Sequence, residues 1–167
     1  MDNDTNALAA ALKAHVDSEA ELFSDLGGAV ERLRSSLEAR SWGPGLAVAQ
    51  AIEQSAAAIE RAEVAREQAF EALRDALDLP RETAFSAVLP SVPEGQRQGL
   101  EESWRRLRSS VVRLKTASSR THYAADALSE ALNRILEQVF PYRKGKIYSR
   151  RGKATSVSGA LLVDRRQ

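Results

Sequence analysis

Leu100, Trp104, Leu107, Val111, Leu114, Ser118, Thr121, Ala125, Leu128, Leu132, Ile135 and Val139 follow one another at steps of three and four. A stripe this regular lies on one face of a helix and must be buried against another element. No strand period of two interrupts it, and no proline occurs between Leu100 and Pro141. The spacing therefore predicts one long helix that ends before Pro141, with Ser91 and Glu94 in "SVPE" as a capping box at its start.

Two earlier segments carry the same period. Ala9, Leu12, Val16, Glu19, Phe23, Leu26, Val30, Leu33 and Leu37 form a stripe within a helix from about 4 to 40, broken only by Glu19. Gly27 and Gly28 interrupt it at ~1 kcal/mol each relative to alanine, which predicts a bend or the close approach of a neighbour. "SWGPG" (41–45) reads as a turn. Ala49, Ile52, Ala56, Ile59, Glu63, Arg66, Phe70, Leu73 and Leu77 then mark a second helix with a polar midsection. Prolines 80, 90 and 93 punctuate the next link, around a short helical turn at "ETAFSAVL".

The expected fold is all-α: an antiparallel three-helix bundle with coiled-coil-like packing, the longest helix last, followed by a basic, mostly irregular C-terminal tail. Residues 1–140 form the bundle and 141–167 the tail. The heptads also permit a homo-oligomer through the same seam.

Folding the second helix back on the first brings Glu19 level with Arg66, either as one partly buried ion pair or as two solvated side chains at the stripe edge. Helix lengths differ as well, roughly 55 Å for the first and roughly 68 Å for the third. With their N-termini level, the end of the third helix has no intramolecular cover unless the first helix or the tail folds over it. Leu128 leads into that strip, and Leu132, Ile135, Leu136, Val139 and Phe140 make it a binding surface.

No catalytic constellation is visible. Cysteine is absent, which removes disulfides, thiolate metal sites and a cysteine nucleophile. His15 and His122 belong to no ligand-spaced cluster, and "LGGAV" fits neither nucleotide-binding fingerprint. The expectation is no enzyme, no metal and no cofactor. The N-terminus lacks the features of a secretory signal, and no apolar run approaches the ~18 residues that cross a bilayer. A soluble, intracellular protein is expected.

Charge is unevenly placed. From Phe140 to Gln167 eight bases face one acid, a net +7, while the preceding residues hold sixteen bases and twenty-two acids, a net −6. Such a tail suits phosphate binding, with Tyr142 and Tyr148 stacking on bases, adsorption to a membrane, or recognition by a protein receptor with Tyr148 as anchor. The helical body shows no matching basic face, and the tail lacks the period of an amphipathic membrane anchor.

Three helices, a proline-punctuated link, "DLP" followed by "SVPEGQRQGLEESWRRLR", and "IYSRRGKATSVSGALLVDRR" resemble the FlgN-type flagellar export chaperones. In the last segment Tyr148 and Gly152 match that family's tyrosine, three residues, glycine pattern; Tyr142, with glycine three positions on, matches it less well. The resemblance implies a cytoplasmic protein without catalytic activity. Its implied partners are the hook–filament junction proteins, which it keeps from assembling early, and the cytoplasmic domain of the flagellar export gate protein. It implies gate docking by Tyr148 and Gly152, with the neighbouring Arg150 and Arg151. Nucleic acid and stable membrane insertion are not expected. The competing readings are a coiled-coil adaptor or scaffold outside the flagellar system and, third, a nucleic-acid-associated helical protein.

Overall fold

The computed structural model describes residues 2–139, 147, 148, 154 and 155. Among the described residues four α-helices occur in the order α1 (Asp2–Glu38), α2 (Trp42–Ala76), α3 (Phe85–Val88) and α4 (Glu94–Val139), with a 3-10 turn at Leu89–Ser91. The last is the longest, at 46 residues. Two short strands follow, β1 (Ile147–Tyr148) and β2 (Ala154–Thr155), paired antiparallel with Tyr148 opposite Ala154. Contacts divide the chain into two units, Met1–Asp126 and Ala127–Gln167, with the division inside α4.

In the first unit α2 runs antiparallel to α1, which brings Arg66 to Glu19. Along α4 the partners of α1 rise together with it: Gly99 lies beside Lys13, Arg106 meets Asp17, Leu114 faces Gly27, and Thr121 bonds to Val30. α1 and α4 are therefore parallel. α1 ends eight residues after Val30, whereas α4 continues for eighteen after Thr121.

Two apolar clusters fill the space between these helices. One gathers Leu12, Val16, Phe70, Leu73, Leu100 and Leu107 under Phe85, Val88 and Val92 of the link; the other joins Leu26, Val30, Ile59 and Ala117. The link is held by aromatic stacking, with the Phe85 ring 4.0 Å from that of Trp104 and nearly parallel to it. Arg74 anchors it from the other side, lying over Phe70 and donating to the Arg81 carbonyl.

Four sequence expectations need correction or refinement. The "WGPG" segment is no turn but the first turn of α2, where Pro44 is tolerated because a first-turn N–H has no intrahelical acceptor. The reversal is made instead by Arg40 in the left-handed region (φ 53°), closed by hydrogen bonds from Ser41 N to Ser36 O and from Arg40 N to Leu37 O. Ser91 closes the 3-10 turn, and α4 begins only at Glu94. Its entry is held by Arg97, which donates to the carbonyls of Pro90 and Val92.

The α4 seam is also displaced from the stripe of large residues. Its buried line is Leu100, Ser103, Leu107, Ser110, Ala117 and Thr121, while Val111 is exposed and Trp104 half-buried. Small residues face α1 because the helices approach closely. A Cβ added at Gly27 would lie 3.9 Å from Leu114 Cα. α1 passes unbroken through Gly27 and Gly28, so close approach is the reading that holds for Gly27.

Candidate functional site

The second unit begins with the helical segment from Ala127 to Val139. Its alanines, leucines, glutamates and arginine are strong helix formers, and no glycine or proline interrupts it. At 100° per residue, Leu128, Leu132, Ile135, Leu136 and Val139 fall within an arc of about 100°. Leu128 is half-buried; Leu132, Ile135, Leu136 and Val139 are between 39% and 61% exposed. Phe140 lies outside the described residues. The charges lie on the opposite face of the helix, where Arg134 pairs with Glu130 at 3.6 Å in an exposed i, i+4 bridge. Four large apolar side chains thus lie exposed together on one face of the helix.

Of the tail residues singled out by sequence, Tyr148 is paired in β1 with Ala154. Arg150, Arg151 and Gly152 lie outside the described residues, as does Tyr142.

Both histidines are exposed, and His122 Nε2 lies 3.3 Å from the Asp126 carboxylate. Among the described residues no cluster of three His, Asp or Glu side chains is placed to hold a metal. No described helix is long and apolar enough to cross a membrane.

The charged interior of the first unit is structural. Arg66 Nε donates to Glu19 at 2.6 Å, with the two side chains 13% and 5% exposed, and the guanidinium also lies over the Trp104 ring. Burial pushes the Glu19 carboxyl above its ordinary value despite the adjacent Arg66. Asp17 goes the other way: burial is outweighed by hydrogen bonds from Lys13 and Ser103 and by the charges of Lys13 and Arg106.

One surface escaped the sequence reading. The helical body does possess a basic face, on the outer side of α4. From Ser103 to Ala125 that helix carries six bases and no acid, and all six bases are exposed. The signal was present as an acid-free run, but the net charge of the whole body concealed it.

The model of the FlgN protein family matches residues 1–156. The chain belongs to the FlgN family. That family is one of chaperones acting in flagellar assembly, and the match takes in Tyr148 and Gly152 while stopping before "LLVDRR". No curated protein and no solved structure matches the chain.

Proposed function

We propose that this FlgN-family chain is a cytoplasmic export chaperone for the hook–filament junction proteins. Cargo is held on Leu128, Leu132, Ile135, Leu136, Val139 and Phe140, kept from assembling early, and delivered to the cytoplasmic domain of the export gate through Tyr148 and Gly152 with Arg150 and Arg151. The observation that carries the reading is the exposure of Leu132, Ile135, Leu136 and Val139 along one face of a family member's longest helix.

The physics of such a site is helix-in-groove packing. An assembly-prone amphipathic helix of the cargo completes its burial against the strip. Each large apolar side chain is worth roughly 1.5–3 kcal/mol when fully buried, so four half-exposed ones supply on the order of 3–6 kcal/mol before ordering costs. That favours a contact strong enough to hold cargo and weak enough to release it. The role calls for no catalytic group, metal or cofactor.

Calorimetric titration with the junction proteins of the same organism, at low and high salt, tests the reading. Saturable binding that survives high salt and is weakened by Leu132→Asp or Ile135→Asp is expected. Absence of binding to every junction protein removes the proposal.

A further inference from the structure

The outer side of α4 carries a second heptad, distinct from the one buried against α1. Ser109, Val112, Thr116, Ser119 and Tyr123 recur at steps of three and four, and all five are exposed, Val112 to 63% and Tyr123 to 75%. Two of the hydroxyls are already satisfied within the helix, Thr116 donating to the Val112 carbonyl and Ser119 to that of Lys115. Covering this line therefore leaves those two hydroxyls bonded.

Along α4 its borders carry bases and no acid, while Glu31 of α1, already paired with Arg34, lines the same groove as Arg113 and Arg120. Arg108 and Lys115, with His122, precede the seam positions on one side; Arg113 and Arg120 follow them on the other. In coiled-coil terms the uncharged residues occupy a and d, and the bases occupy g and e, where charge selects the partner. Arg105 and Arg106 are already paired, with Glu101 and Asp17. Among the described residues, Arg108, Arg113, Lys115 and Arg120 form no ion pair.

We propose that this face docks an acidic amphipathic helix of a partner protein, with carboxylates at its e and g positions and apolar residues along its a and d positions. Charge complementarity identifies the occupant. A second copy of the same face and the chain's own basic tail both bring like charge, which costs rather than stabilises. An uncharged line running from Ser109 to Tyr123 packs against the apolar stripe of a helix, with Val112 and Tyr123 supplying its large exposed apolar area. The seam residues are mostly small, so the contact is of modest strength and is steered by charge. The surface lies in the first unit and its argument is independent of the cargo strip.

The test uses the full chain and labelled probes read by fluorescence anisotropy. The probes are a three-heptad helical peptide with Glu at e and g and Leu and Val at d and a, its lysine counterpart, and a single-stranded oligonucleotide of similar length. The acidic peptide is expected to bind and the lysine peptide not. Arg108→Glu/Arg113→Glu/Arg120→Glu is expected to weaken the acidic peptide at least tenfold and to admit the lysine peptide. Val112→Asp weakens it as well, with helicity by circular dichroism unchanged in both variants. Arg150→Glu/Arg151→Glu leaves it unaltered. Failure of the acidic peptide to bind, binding indifferent to the α4 variants or lost with the tail variant, or binding of the oligonucleotide alone overturns the proposal; the last result assigns the face to nucleic acid.

Discussion

Arg66 and Glu19 meet at 2.6 Å where the first apolar cluster gives way to the second, bonding α2 to α1 across 47 residues of sequence. A buried pair of this kind fixes the register of an antiparallel hairpin more than it adds stability, because desolvation offsets the attraction. Breaking it is another matter. Arg66→Met leaves an uncompensated carboxylate and is expected to cost about 3–5 kcal/mol in urea unfolding, while Glu19→Leu with Arg66→Met recovers most of that loss. A double variant as unstable as the single one would show that the pair supplies net stability.

The two perturbed carboxylates give pH dependences of opposite sign. Glu19 titrates above its ordinary 4.5 because it is buried, so the folded state holds its proton where the unfolded state has lost it. Its contribution to stability therefore grows as pH falls towards 4.5 and is lost as pH rises through the raised value. Asp17 titrates below its ordinary 3.8, and its contribution is present above that pH and lost below it. Unfolding free energies should show the wild-type difference from Glu19→Gln growing on acidification towards 4.5, and the difference from Asp17→Asn shrinking below 3.8.

Arg40 and Asp78 end α1 and α2 in the left-handed region, with φ 53° and 52°. Each closes the same pair of hydrogen bonds, Leu79 N to Arg74 O and Asp78 N to Asp75 O in the second case. A non-glycine residue in that conformation is strained by roughly 1–2 kcal/mol. Arg40→Gly is expected to raise stability by about 0.5–1 kcal/mol after the entropy cost of glycine. A lower Tm for this variant would mean that the Arg40 side chain has a stabilising contact.

Gly28→Ala offers the converse change within a helix. The added Cβ meets only the mobile end of Arg32, at 3.5 Å. Helix propensity then gives about 0.5–1 kcal/mol of stabilisation, measurable as a rise in Tm. A fall would show that Arg32 cannot move aside.

Helix positions and the level placement of Glu19 and Arg66 were legible in the sequence because both follow from 3.6-residue spacing and a reversal close to residue 40. The same spacing does not choose between a buried pair and two solvated side chains. The α4 register was not. Trp104 and Val111 look like core residues by size, but the close parallel approach of α1 admits Ser103, Ser110 and Ala117 instead. The start of α2 was misread for a related reason: Gly and Pro mark turns, yet Pro is also compatible with a first helical turn. The apolar face of residues 128–139 was legible from the 3.6-residue stripe, and its side chains are exposed; its occupancy by cargo rests on the proposed function.

Amide hydrogen exchange on the full chain, with and without a hook–filament junction protein, tests the central claim most directly. Slowed exchange concentrated in residues 128–139, and abolished together with binding by Leu132→Asp, is the predicted result. Protection confined to residues 105–123 or to α2, with 128–139 unchanged, would contradict the assignment of the cargo face.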